Sequence, residues 1–171
     1  KLPVMLSVSR YFPDHTFVVA AAPGLELSFY EPFLRAYPNV QMRQGHTYDI
    51  LLDSDAALVT SGTATLETAL LGIPEAVCYK GNAISYQIAK RLIKIPFISL
   101  VNLILNKLVV REFIQDEMNE ANLTQELKEL LTNQERRSQM LEDFQQLRTM
   151  LEAGGSASEN AARIIVRELA K

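Results

Sequence analysis

The chain is poor in the features that would move it out of the ordinary globular class. It has one cysteine, Cys78, in 171 residues, so an internal disulfide framework is excluded and a reducing compartment suits it. Cys78 lies in the apolar run Ala76-Val77-Cys78-Tyr79, where a buried inert thiol is expected, because a reactive cysteine needs a setting that stabilises its thiolate. No uninterrupted apolar stretch reaches the roughly 20 residues needed to cross a bilayer. The opening Lys1-Leu2-Pro3-Val4-Met5-Leu6 runs into Ser7 and Arg10 without the apolar core of a signal peptide, so a soluble cytoplasmic chain is expected. There is no excess of positive charge either. The net charge is −3, whereas a general nucleic-acid binder would show a basic face, so nucleic acid is not an expected partner. No repeat or low-complexity tract is visible. What remains is balanced, with 48% hydrophobic and 22% charged residues and enough length for one domain with a substantial core. The start, without Met and already inside an apolar periodic pattern, reads as a piece of a longer protein.

Short apolar runs alternate with helical patterns over the first two thirds. Leu2, Met5, Leu6 and Val8 recur with helical spacing until Pro13-Asp14-His15 breaks the pattern. Thr16 to Ala22 reads as a buried strand, closed by Pro23-Gly24, and a helix is predicted from about Leu27 to Ala36. Val40 to Arg43 reads as a short strand, Tyr48 to Leu52 as a short helix, and Ala56 to Thr60 as a further strand. A helix from Gly62 or Thr63 to Leu71 follows, stopped by Gly72-Ile73-Pro74. Ala76 to Tyr79 is the next strand and Ile84 to Ile93 the next helix. This order predicts an α/β fold, a Rossmann-like parallel sheet with helices on both faces. From Asn122 the pattern becomes a helical tail: Asn122 to Leu131, Gln134 to Leu151 and Ser156 to Ala170. Ser156 with Glu159 has the form of a capping box. Charge clusters such as Glu135-Arg136-Arg137 read as a solvated helix face.

The chemistry concentrates at Ser61-Gly62-Thr63. In a parallel α/β sheet, ligands bind outside the carboxyl ends of the strands, where the next helix presents unpaired N–H groups and the positive end of its dipole. Gly62 lets the backbone approach an anion closely, and Ser61 and Thr63 add hydroxyl donors. Glu67, four residues after Thr63, sits about one turn further along the same face, where a carboxylate can accept hydrogen bonds from vicinal sugar hydroxyls. Local chemistry leaves two readings open, a nucleotide-sugar site or a plain helix start with one exposed acid.

A longer match bears on that choice. Ser61-Gly62-Thr63-Ala64-Thr65-Leu66-Glu67, with Ala69-Leu70-Leu71-Gly72-Ile73-Pro74 and Tyr79, resembles the donor-binding segment of the lipid-A-disaccharide synthase family. Ile98-Ser99-Leu100-Val101-Asn102-Leu103-Ile104 and Val109-Val110-Arg111-Glu112-Phe113-Ile114-Gln115-Asp116 match the family's Ser-Leu-Pro-Asn and Val-Pro-Glu-hydrophobic-hydrophobic-Gln segments. The resemblance covers nearly the whole chain. It implies the C-terminal half of a glycosyltransferase with two Rossmann-like domains (GT-B type). The activity implied is transfer of 2,3-diacylglucosamine from its UDP donor to 2,3-diacylglucosamine 1-phosphate, giving lipid A disaccharide 1-phosphate and UDP. It implies no cofactor and no metal, since helix N-termini and polar side chains meet the charge on the departing diphosphate. By the same resemblance Ser61, Gly62 and Thr63 belong to the diphosphate or adjoining sugar and Glu67 to ribose or donor-sugar hydroxyls. Asn102, Glu112 and Gln115 would line the same cleft; read without the family they are a turn asparagine, an acid at a helix start and a surface glutamine. Val101 and Arg111 stand where the family has proline, the latter at an expected first helical position, and Glu75 where an apolar strand residue is usual.

The family's first strand and Leu-Pro-Gly-Ser-Arg-like turn, and the whole N-terminal half with the acceptor site and catalytic base, are absent from this sequence. The chain is therefore expected to form one nucleotide-sugar-binding domain over residues 1–171, with its helical tail at about 122–171, and to be inactive alone. No residue of it is assigned as the catalytic base. The absent strand would lie between Thr16–Ala22 and Ala56–Thr60, so those strands should close up or accept a segment from elsewhere, and exchange of strands or C-terminal helices would give a homo-oligomer. Acylated substrates imply work at the inner face of the cytoplasmic membrane. Ile84 to Lys94, with Lys90, Arg91 and Lys94, fits interfacial attachment or packing of Ile88 and Leu92 on the sheet. Two other functions compete: half of another UDP-sugar GT-B transferase or epimerase, and a non-catalytic interaction module.

Overall fold

A computed structural model describes residues 1–82, 96–155 and 157–169. Helix α1 (Leu2–Ser7), with Pro3 in its first turn, tightens into a 3-10 turn at Val8–Tyr11 and ends where Phe12 leaves the helical region. Strand β1 (Phe17–Ala21) runs parallel to β2 (Val40–Gln44), with Phe17 opposite Val40. The single helix predicted between them is instead a 3-10 turn at Leu27–Phe29 and a short α2 (Glu31–Leu34). Pro32 accounts for the division, because proline is tolerated in a first turn but not in a helix interior. Helix α3 (Thr47–Leu52) leads to β3 (Ala57–Thr60), then α4 (Thr63–Leu70) and β4 (Glu75–Tyr79). As predicted, α4 stops at Gly72, whose φ of 76° is the left-handed value that closes a helix; Gly72 N–H donates to Ala69 O and Ile73 N–H to Thr68 O.

After residues 83–95, where the predicted Ile84–Ile93 helix and its basic residues fall outside the described residues, the chain forms α5 (Leu100–Leu105) and β5 (Arg111–Ile114). Three longer helices complete it: α6 (Glu120–Thr132), α7 (Gln134–Ala153) and α8 (Ala157–Leu169). The predicted Ser156 cap also falls outside the described residues.

Strands β3, β4 and β5 form a parallel sheet with β4 in the middle, so Glu75, Ala76, Val77 and Cys78 are all buried. Val77, Cys78 and Phe113 from this sheet, with Val110 just before β5, pack with Leu123 and Leu130 of α6 and Leu147 of α7 in the main core. At about 25 cal/mol per Å2 of apolar surface, such helix faces gain more from burial than from intrinsic propensity.

The structure departs from the sequence expectations in further places. The single sheet is two: β1 and β2 form one, and among the described residues neither pairs with β3. The strands on either side of the expected gap have therefore not closed up. Consequently β1, expected to be buried, is mostly half-buried, with only Ala21 fully enclosed. Arg111 does not start a helix; β-branched Val109 and Val110 and the side chains of Phe113 and Ile114 favour a strand, and β4 offers a free edge to pair with. Finally, Arg136 and Arg137 are not a solvated face. Arg136 pairs with buried Glu126, and Arg137 donates to the carbonyls of Asp55, at 3.0 Å, and Leu130.

Candidate functional site

Parallel strands deliver the residues that follow them to one edge. Thr60 lies opposite Cys78, and Tyr79 opposite Ile114, so Ser61 leaves β3 at the level of Tyr79, and Lys80 and Gln115 step off β4 and β5 one residue further on, side by side. Ser61 N–H donates to Cys78 O at 3.2 Å, extending the ladder one residue beyond β3. The chain then turns at Gly62, whose φ of 150° and ψ of −163° fall in a region open almost only to glycine. No atom of the described residues lies within 4 Å of where a Cβ on Gly62 would project, so no described neighbour crowds the turn. Gly62, Thr63 and Ala64 are exposed, and the first amides of a helix have no intrahelical acceptor. Thr65 is not free to join them: its Oγ1 donates to Gly62 O at 2.9 Å and stiffens the turn. Glu67 is half-buried one turn further along α4. The arrangement can receive a phosphate or diphosphate on Thr63 and Ala64 amides, with a sugar hydroxyl within the province of Glu67.

Gln115 marks the other end of this edge. Its φ is 54°, a left-handed conformation unusual for a residue with a side chain. Its Oε1 accepts the Gly81 N–H at 3.3 Å, while its Nε2 is enclosed and has no acceptor. A strained backbone and an orphaned donor in one residue are the marks of a site shaped for something other than stability. Gln115 and Lys80 line a cleft of about 400 Å3 with Ser7 of α1 and Asp116, Asn119 and Glu120 beyond β5. Lys80 was not among the residues singled out in the sequence. Its signal is positional, the first residue after the central strand, and becomes readable only once β5 is known to pair with β4.

Asn102 and Glu112 are placed differently. Asn102, in the first turn of α5, has no exposed surface. Its Oδ1 accepts the amides of Val109 and Val110 at 2.8 and 3.0 Å, and its Nδ2 donates to Val110 O at 2.8 Å and Glu112 Oε1 at 2.9 Å. The Glu112 carboxylate also accepts the Ile98 and Ser99 amides, each at 2.9 Å. Ser61, Gly62, Thr63 and Gln115 thus share the carboxyl edge, with Glu67 one turn along α4, whereas Asn102 is buried and Glu112 half-buried, both engaged by bonds within the protein. Val101, which stands where the family has proline, is buried in α5.

Among the described residues no three His, Cys, Asp or Glu side chains converge as metal ligands, and no helix is long and apolar enough to cross a membrane. Cys78 is buried in β4, and burial pushes its thiol up to about 12.

Comparison with known proteins gives this edge its context. The chain is 37% identical over 166 residues to a lipid-A-disaccharide synthase of Syntrophus aciditrophicus (strain SB), covering 94% of this chain and 43% of that protein. It is 33% identical over 170 residues to a lipid-A-disaccharide synthase of Anaeromyxobacter sp. (strain K), covering 96% of this chain and 44% of that protein. It thus spans less than half the length of these curated relatives. The lipid-A-disaccharide synthetase (LpxB) family matches residues 5–167, and the chain belongs to that family.

Proposed function

We propose that this chain is the UDP-sugar-binding part of a glycosyltransferase that moves 2,3-diacylglucosamine from its UDP donor onto 2,3-diacylglucosamine 1-phosphate, in the synthesis of lipid A. The observation that carries the reading is the shared carboxyl edge, where the Gly62 turn opens the start of α4 and Gln115 holds an enclosed, unpartnered amide. The diphosphate lies on the Thr63 and Ala64 amides with the hydroxyls of Ser61 and Thr63. Glu67 takes ribose or donor-sugar hydroxyls, and the Gln115 amide donates to the ligand it now lacks. Charge that develops on the departing UDP is met by donors fixed in place by β3 and α4, which need no rearrangement as the bond breaks. Lys80 adds a cation at the same edge.

The acceptor site and the base that activates its hydroxyl belong to the part of the relatives that this chain does not span, so the chain alone is inactive. Among the described residues β1 and β3 each pair on one side only, which supports a further strand beside them, supplied from outside the chain. Acylated substrates favour the cytoplasmic face of the inner membrane as the place of work. Calorimetry with UDP tests the binding reading. Specific binding that weakens about tenfold in Gln115→Ala, the worth of about one hydrogen bond, supports it. No binding by the parent chain leaves only an interaction module.

A further inference from the structure

Asn102 and Glu112 form a brace that no ligand is needed to complete. Asn102 has two amide hydrogens and two acceptor positions on its oxygen. All four are used within the protein, on Val109, Val110 and Glu112. Glu112 binds that amide and, from β5, holds the Ile98 and Ser99 amides that lead into α5. The two side chains therefore join three pieces of chain: the approach to α5, its first turn, and the approach to β5.

What lies beyond the brace is Gln115. Strand β5 has four residues and, among the described residues, pairs on one side only, with β4. Short edge strands hold their register weakly, and a slip of one residue turns every side chain to the opposite face. Asn102 fixes the two residues just before β5, and Glu112 is its second residue. A left-handed glutamine is strained and persists only where its surroundings over-determine it. The Gly81 amide holds the side chain, and the brace holds the strand that delivers it.

We infer that Asn102 and Glu112 are positioning residues: they do not touch the nucleotide sugar but fix the register of β5 and so the conformation of Gln115, which does. The ligand half of this statement rests on the donor-site reading above; the brace does not.

The test starts with 15N NMR spectra of the 171-residue chain without nucleotide. Asn102→Ala and Glu112→Gln are each expected to shift the Gly81 backbone amide and the Gln115 side-chain amide. Glu112→Gln keeps the shape of the side chain and serves if Asn102→Ala does not fold. UDP added to the parent chain should then move the Gln115 side-chain amide and leave that of Asn102 in place. UDP affinity should fall about tenfold in Gln115→Ala and by no more than twofold further in the Asn102→Ala/Gln115→Ala pair, because both changes disable one contact. Unmoved Gly81 and Gln115 signals in a folded Asn102 or Glu112 variant overturn the brace, even if that variant melts earlier. A further tenfold loss in the double variant overturns it in favour of direct contact. Failure of the parent chain to bind UDP removes the donor reading, while ligand-free shifts would still uphold the brace.

Discussion

The guanidinium of Arg136 closes on the carboxylate of Glu126, a side chain with no exposed surface, and Arg111 reaches the same carboxylate at 3.5 Å. Arg111 stands in β5, Glu126 in α6 and Arg136 in the first turns of α7, so one buried charge ties the sheet edge to both helices. Arg111 also lies over the Phe113 ring at 5.0 Å, which fixes the direction of its approach. The second such tie, Lys107 to Asp143 at 2.7 and 2.8 Å, joins the end of α5 to α7. The start of β5 and the end of α5 are thus tied to α6 and α7.

Removing one partner of a buried pair leaves a charge in a place that water does not reach. Arg136→Ala leaves Glu126 with the longer Arg111 contact alone and is expected to cost about 2–3 kcal/mol of unfolding free energy, short of the full cost of an unpaired buried charge, whereas replacing Glu126 and Arg136 together by Leu and Met restores most of it. Urea titration followed by circular dichroism checks both. A loss below about 1 kcal/mol in the single variant would place the pair in solvent.

Glu75 poses the opposite problem, a buried carboxyl with no partner for either oxygen. Burial raises its pKa well above the ordinary 4.5 and so favours the neutral acid in the folded protein. A group raised in this way favours the folded state fully below its unfolded pKa, and that contribution is lost as pH rises towards the folded value. Stability should fall from about pH 4.5 upward on this account. Glu75→Leu should flatten that slope and raise stability at pH 8 by about 1–3 kcal/mol, the usual cost of a buried unsatisfied polar group. Melting curves from pH 5 to 8 decide it; equal slopes for parent and variant would mean that Glu75 finds a partner.

Cys78 gives a test of the sheet itself. Burial at the centre of β4 lifts its thiol from 9.0 to about 12, so the reactive thiolate is about a thousandfold scarcer than in an exposed cysteine. Alkylation at pH 8 should wait for unfolding and follow the denaturant curve of the chain. Rapid stoichiometric labelling of the native chain would contradict the central position of β4.

How much of this was readable beforehand depended on whether a local rule decided the outcome. The helix stop at Gly72 was legible because a glycine followed by proline has one local meaning, and the start of α4 because Gly62 follows a run of β-formers. The buried thiol of Cys78 followed from its apolar neighbours. Strand β5 was not legible, since Arg111 and Glu112 read as the first turn of a helix and only the free edge of β4 makes them a strand. Nor was the fate of Arg136, because a charge on a helix looks the same in sequence whether it faces water or a buried acid on another helix. Asn102 shows the limit most clearly. The resemblance brought Asn102 and Glu112 to notice, but which partners saturate the amide depends on contacts between segments seven to ten residues away.

Gly62 carries the last prediction, because it separates conformation from space. A methyl group there meets nothing within 4 Å, so any penalty of Gly62→Ala must come from the backbone, held at a φ of 150°. That conformation costs about 1–3 kcal/mol for a residue with a side chain. The variant can meet the cost by unfolding more readily or by relaxing the turn and tilting the Thr63 and Ala64 amides away from the ligand. Loss of stability or of UDP affinity, or a division between them, is expected. Gly24 is the control, equally open and without a positive φ, and Gly24→Ala should be neutral or stabilising by less than about 1 kcal/mol. Thermal melts and UDP titrations of the two variants check the contrast. If Gly62→Ala matched Gly24→Ala in both, the turn would not be held in its glycine-only form, and the anion site built on it would go too.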